Sequence, residues 1–186
     1  MRKLIVYNTV SLDGYFTDID SKLDWAHRAD PQWQAFVSEN ARDGGELVFG
    51  RVTYELMASF WPTPLAAQSN PTIAERMNGL PKVVFSRTLD KVSWSNTRLI
   101  NGDLAAEIRK LKREAGPNMV IMGSGSIVAQ LAEAGLIDEY QIVANPTVLG
   151  KGRTLFDGVK TRLQLKLKNS RAFDNGNVVL FYQPIA

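Results

Sequence analysis

MVIMGSGSIVAQLAEAGLIDEYQIVAN, residues 119–145, decides the fold. Met119-Val120-Ile121-Met122 is an apolar run without polar alternation, the pattern of a strand covered on both faces. Gly123-Ser124-Gly125-Ser126 then turns the chain. Residues 126–134 read as a helix ended by Gly135, and residues 139–145 return as a strand. A strand, a helix and a second strand in this order predict neighbouring strands that run parallel.

The same alternation extends outward in both directions. Leu4-Ile5-Val6-Tyr7 is a buried strand that polar Asn8 and Thr9 bring to an end. Pro31 opens a helical pattern through Trp33, Phe36 and Val37, with Asp30 before it as N-cap. Leu47-Val48-Phe49 is a short strand ending at Gly50, and residues 52–59 form the next helix. Residues 62–81 hold four prolines and read mostly as a long surface loop, with a short helix at 73–77. Lys82-Val83-Val84-Phe85-Ser86 is another strand. Asp103 caps an amphipathic helix with Leu104, Ile108, Leu111 and Ala115 on one face, and Gly116-Pro117 stops it. At the C-terminus Leu163, Leu165 and Leu167 alternate with polar residues. Val178 opens the partner strand, with Asn175-Gly176 suited to a type I′ turn between them. The expected architecture is one α/β domain over residues 1–186. It is a mostly parallel sheet flanked by helices, with a C-terminal antiparallel hairpin.

Composition narrows the chemistry. The 186 residues are 45% hydrophobic and 22% charged, which excludes a disordered chain. There is no cysteine and one histidine, His27, so thiolate nucleophiles, iron–sulfur clusters and multi-histidine metal centres are excluded. No metal site is expected. The net charge is +3, and the basic residues are scattered. The densest group, Arg109, Lys110, Lys112 and Arg113, reads as a solvated helix face. No nucleic-acid partner is expected, because a DNA footprint needs a more concentrated basic stripe. No apolar stretch approaches a membrane span or a secretion signal, so the chain reads as cytoplasmic.

Three strand ends carry phosphate-binding residue types. Gly123, Ser124, Gly125 and Ser126 join a strand to a helix start, where backbone N–H groups lack partners. Val128 occupies the third glycine position of the Rossmann fingerprint, so the turn is not that motif. Gly50-Arg51-Val52-Thr53-Tyr54-Glu55 repeats the arrangement, with Arg51 and Thr53 at a helix start. Ser86-Arg87 follows a third strand. Ligands of parallel sheets bind at this carboxyl edge, so the convergence favours an anionic, phosphorylated ligand. Ser11-Leu12-Asp13-Gly14-Tyr15 suits a turn. The loop Pro146-Thr147-Val148-Leu149-Gly150-Lys151-Gly152-Arg153 either binds an anion through Gly150 and Lys151 or connects two strands.

Together these motifs, with Gly135-Leu136-Ile137-Asp138-Glu139, make the chain resemble the dihydrofolate-reductase-like superfamily along essentially its whole length. Within it the chain is similar to the reductase domain of the bifunctional deaminase–reductase of riboflavin synthesis. The resemblance implies NADPH as cofactor, with Arg51, Thr53, Ser86 and Arg87 around its phosphates and ribose. Gly50 would lie beside them, and Gly123, Ser124, Gly125 and Ser126 around the pyrophosphate. It also implies a first strand, ending at Asn8, that approaches the nicotinamide, and Trp25 as a cofactor contact. Two departures stand out. Met122 occupies a place usually acidic in riboflavin-pathway reductases, and the Gly50 motif is closer to dihydrofolate reductases. Those enzymes carry a substrate-binding carboxylate at the start of their first helix, a place that Asp30 matches alongside its role as cap.

The reaction implied is hydride transfer to a small heterocyclic or sugar-linked substrate, with Asp13, Asp30 and water as the proton sources left open. Reduction of a phosphoribosylamino-pyrimidine, of dihydrofolate or a pterin, and a nucleotide-binding module without turnover remain the alternatives. Because no acidic residue adjoins Arg51 or Arg87, NADPH is expected over NADH. The resemblance, with the hairpin edge and Phe60-Trp61, also leads to the expectation of a homodimer.

Overall fold

The alternating apolar runs assemble into a central eight-stranded sheet in the computed structural model, which describes residues 1–26, 30–42 and 45–185. His27 lies outside the described residues. Along the chain the first strands are β1 (Leu4–Ser11), β2 (Tyr15–Thr17) and β3 (Glu46–Gly50). They are followed by β4 (Lys82–Phe85), β5 (Thr97–Ile100) and β6 (Met119–Met122). The last four are β7 (Glu139–Asn145), β8 (Arg153–Thr154), β9 (Leu165–Ala172) and β10 (Val178–Pro184). The helices are α1 (Pro31–Arg42), α2 (Arg51–Phe60), α3 (Pro64–Ser69), α4 (Pro71–Gly79), α5 (Leu104–Arg113) and α6 (Gly125–Glu133). A single 3-10 turn covers Asp24–Ala26.

The sheet order is β5-β4-β3-β6-β1-β7-β10-β9, with β2 and β8 in a separate two-stranded ladder. From β5 to β7 every neighbouring pair is parallel. β10 runs against both β7 and β9, so it alone points the other way. Adjacent residues of one strand serve opposite faces. Val48 and Val83 join Leu4, Ile108, Ile121 and Leu131 in the core under α5 and α6. Leu47 and Val84 join Phe49, Tyr54, Met77 and Trp94 under α2 and α4. Further along the face that α2 and α4 cover, Trp33 and Phe36 of α1 pack with Val143, Phe173, Val179 and Phe181.

Four sequence expectations need correction. Residues 62–81 are mostly helical, because Pro64 and Pro71 sit in the first turns of α3 and α4, where a missing N–H costs nothing. β5 was not anticipated; it is a four-residue edge strand whose Arg98 is exposed. Lys112 belongs to the buried side of α5, where its Nζ donates to Asp138 Oδ2 at 2.6 Å and to the Leu136 carbonyl at 2.9 Å. The turn at Asn175-Gly176 is not type I′, since Gly176 has φ 87° but Asn175 is not left-handed. Instead, Gly176 N–H donates to Phe173 O and Phe173 N–H to Asn177 O, which makes a three-residue loop with a glycine bulge.

Candidate active site

Strands β1, β3, β4 and β6 end on the same edge of the sheet, and α2 and α6 begin there. Between them opens a cleft of about 1760 Å³. Its floor includes Tyr7, Asn8 and Thr9 of β1, Gly50 and the first turn of α2, and Phe85, Ser86 and Arg87 after β4. Met122, Gly123, Ser124, Gly125 and Ser126 complete it.

A small network fixes the glycine turn. Asn8 Nδ2 donates to the Gly123 carbonyl at 3.0 Å. Ser124 N–H donates to Thr53 Oγ1 at 3.0 Å, and Gly50 N–H donates to Ser124 Oγ at 2.9 Å. Gly123 and Ser124 are both left-handed, with φ 58° and 57°. A Cβ on Gly123 would stand 2.8 Å from Thr53 Cγ2, and one on Gly125 2.9 Å from Phe16 Cζ. A side chain at either position would therefore have to push a neighbour aside, and at Gly123 it would also be strained by the left-handed backbone. Neither α2 nor α6 has a side-chain cap; in α6 the Ile127 N–H turns back to the Ser124 carbonyl at 2.9 Å, and the N–H groups ahead of the first such bond in each helix are left to a ligand or water.

The two arginines differ. Arg51 donates to Glu55 Oε2 at 2.9 Å, one helical turn along, so an acidic residue does adjoin it in space. Arg87 is exposed, lines the cleft and has no ion pair among the described residues. Ser86 Oγ accepts the N–H groups of Thr88 and Leu89 and thereby shapes the turn that presents Arg87.

Other sequence candidates lie off the cleft. Asp13 accepts the Ser11 hydroxyl at 2.6 Å and the N–H groups of Leu149 and Gly150 at 3.1 and 2.7 Å. The Ser11 bond first, then the backbone bonds, hold its carboxyl down at about 2. Such a group is a loop tie and stays ionised near neutrality. Asp30 accepts Trp33 N–H at 2.6 Å and caps α1. Trp25 donates its Nε1–H to the Lys22 carbonyl at 3.1 Å and is not among the lining residues, although its neighbours Asp24 and Ala26 are. Gly150 and Lys151 are exposed in the loop that Asp13 ties and also stand outside the lining.

The sequence profile of the RibD C-terminal domain matches residues 2–179. The chain belongs to the RibD C-terminal domain family. The uncharacterized protein YyaP of Bacillus subtilis (strain 168) is 29% identical over 181 residues, 97% of this chain and 94% of YyaP. YwjB of the same organism is 28% identical over 172 residues, 92% of each chain. A crystal structure of a candidate riboflavin biosynthesis protein from Shewanella sp. PV-4 superposes with a TM-score of 0.76 at 26% identity, over 99% of both chains. The diaminohydroxyphosphoribosylaminopyrimidine deaminase/5-amino-6-(5-phosphoribosylamino)uracil reductase of Thermotoga maritima superposes at 0.71 with 14% identity. This chain spans 57% of that protein, and the likeness concerns the fold. The architecture is the dihydrofolate-reductase-like one of these neighbours.

In this RibD C-terminal domain the cleft also gathers residues that sequence reasoning missed. Tyr7 lies beside Asn8, and burial raises its phenol well above the ordinary range. Thr17, Lys22, Asp24 and Asp157 come from loops and from the β2–β8 ladder, whereas Arg153, which also lines the cleft, closes the glycine-punctuated loop already read as an anion-binding candidate. Thr17 Oγ1 is buried without a hydrogen-bond partner among the described residues. No local motif marks Thr17, Lys22, Asp24 and Asp157, because only tertiary packing brings their loops to the sheet edge. Among the described residues, no helix is long and apolar enough to cross a membrane.

Proposed function

We propose that the chain acts as one NADPH-dependent reductase domain, passing a hydride to a polarised C=N or C=O of a small heterocyclic or sugar-linked metabolite. The observation that carries this reading is the meeting of Arg51, Thr53, Ser86, Arg87 and the Gly123-Ser124-Gly125-Ser126 turn around one cleft. Pockets for a single small ligand usually measure roughly 300–1000 Å³. A cleft of about 1760 Å³ has room for a dinucleotide and a substrate together.

The donor set fits an anionic dinucleotide. Two helix starts would hold the pyrophosphate through backbone N–H groups. Arg87, free of an ion pair among the described residues, would take the 2′-phosphate, with the Thr53 and Ser126 hydroxyls as further donors. NADPH supplies the hydride when bound, and the protein contributes positioning and electrostatics. Asn8 keeps β1 in register with the glycine turn. Solvent beside Asp24 and Asp157 replaces Asp13 and Asp30 as the proton source in this account, because burial raises the Tyr7 phenol and makes it too weak an acid for the role.

Membership of the family supports the transfer of a reductase activity to this chain, and the reductase activity named for the Thermotoga protein supports its class. A cytoplasmic homodimer goes with this reading. The test is loss of NADPH absorbance in the presence of candidate pyrimidines and pterins. Turnover supports the reductase; tight NADPH binding with no turnover across the panel would favour a nucleotide-binding module.

A further inference from the structure

Helix α2 turns an apolar stripe toward the cleft. Val52, Leu56 and Phe60 recur every four residues, which places them one above another on the helix surface. All three line the cleft, and they are 59, 51 and 38% exposed. Tyr54 of the same helix already supplies its buried contact with the core. A surface helix ordinarily gives its apolar residues to the core, so a second apolar face inside a ligand cleft requires an explanation.

The far end of the stripe is braced. Phe60 meets Trp61 edge-on, with ring centroids 5.1 Å apart. Trp61 Nε1–H is directed at Met57 Sδ at 3.1 Å, and Asn78 Nδ2 donates to the Trp61 carbonyl at 2.9 Å. The phosphate-binding residue types stop at the first turn of α2, because between Arg51 and Arg76 the chain contains no lysine or arginine. At a rise of about 1.5 Å per residue, Phe60 stands roughly 13 Å along the helix from Arg51. The other cations of the cleft, Lys22, Arg87 and Arg153, belong to other elements.

We propose that Val52, Leu56 and Phe60 seat an uncharged apolar arm of the substrate, aryl or branched alkyl. The chain would then reduce carbonyl or imine compounds that carry such an arm rather than a phosphorylated one at that end. The proposal rests on the reductase reading above. A phosphate against this wall would lose hydration without gaining a cation, whereas an apolar arm removes exposed hydrocarbon from water on both sides.

The experiment is isothermal titration of the full chain, with and without saturating NADPH, against two probes. One is 4-phenyl-2-butanone, an uncharged aryl ketone; the other is uridine 5′-monophosphate, a phosphoribosyl pyrimidine. The ketone is expected to bind at least tenfold more tightly in the presence of NADPH. Leu56→Ala and Phe60→Ala should each weaken it about tenfold while changing NADPH affinity less than twofold. Leu56→Met, which keeps the wall apolar, should retain ketone binding, and its melting temperature checks that the fold is intact. Tighter binding of the nucleotide, no binding of the ketone, or ketone binding indifferent to both alanine variants overturns the proposal. So does dimerisation that Leu56→Ala abolishes, which would give the wall to a second copy of the chain. Failure of the parent to bind NADPH would sink the reductase reading. Ketone binding that still depended on Leu56 would then support the wall on its own.

Discussion

The Ser124 N–H donates to Thr53 Oγ1 at 3.0 Å, and this bond ties the start of α6 to the first turn of α2 in the floor of the cleft. Ser124 is buried and left-handed, so the bond supports a backbone conformation that a serine rarely adopts unaided.

Thr53→Val keeps the shape of the side chain and removes the acceptor. It should destabilise the protein by about 1–3 kcal/mol, the range for a buried donor left unpaired. It should also weaken NADPH binding, because the turn loses its brace. Thr53→Ser should restore both. Urea denaturation and NADPH titration on the same three proteins make the comparison; a valine variant as stable as the parent would show that the turn holds itself.

Glu55→Gln releases Arg51 from its one ion pair among the described residues, an exposed one at 2.9 Å. Exposed pairs are worth about 0.2–1 kcal/mol, so NADPH affinity should rise by up to about fivefold. A fall in affinity would mean that Glu55 holds Arg51 in its binding posture.

Asp13 gives the pH dependence its sign. Its carboxyl is lowered to about 2, chiefly by the Ser11 hydroxyl and then by the N–H groups of Leu149 and Gly150. A lowered carboxylate contributes stability above its unfolded value of 3.8 and loses it as pH falls through about 2. The Gly150 amide resonance should therefore titrate near pH 2 and shift at neutral pH in Asp13→Asn. A midpoint close to the ordinary aspartate value would contradict the role of Asp13 as the tie between these loops.

The proposed homodimer also has a structural constraint. β9 is an open edge strand bearing Lys166 and Lys168, and lysines on an edge discourage strand addition. The contact should therefore use a face of the hairpin rather than its edge. Sedimentation should give twice the 20.7 kDa of one chain; a single species at the monomer mass at micromolar concentration would refute the dimer.

How much of this was legible in the sequence depended on how local the physics was. Met119–Met122 and Glu139–Asn145 have the predicted strand limits, because apolar strands bounded by glycine or polar turns carry their own punctuation. Asp103 and Asp30 were legible as caps for the same reason. Pro64 and Pro71 misled, since the residue that breaks a helix interior also opens a helix at its first turn. The role of Asp13 depends on N–H groups 136 and 137 residues away, which no spacing rule reaches. Arg51 was read through its sequence neighbours, whereas on a helix its relevant neighbour is Glu55, four residues on. Gly123 and Gly125 were legible as a turn. That Thr53 and Phe16 occupy the space a side chain would need was not. Replacing either glycine consequently disturbs packing before it reports on a ligand.

The central claim is that the carboxyl-edge cleft is a site for NADPH, with Arg87 as the group that reads its 2′-phosphate. Titration calorimetry of the parent and of Arg87→Ala with NADPH and NADH tests it most directly. A charge-assisted hydrogen bond contributes about 1.5–3 kcal/mol, or roughly ten- to a hundred-fold in affinity. NADPH should bind the parent at least tenfold more tightly than NADH. Arg87→Ala should lose most of that preference by weakening NADPH alone. Equal affinities for the two cofactors in the parent, or no binding of either, would contradict the account.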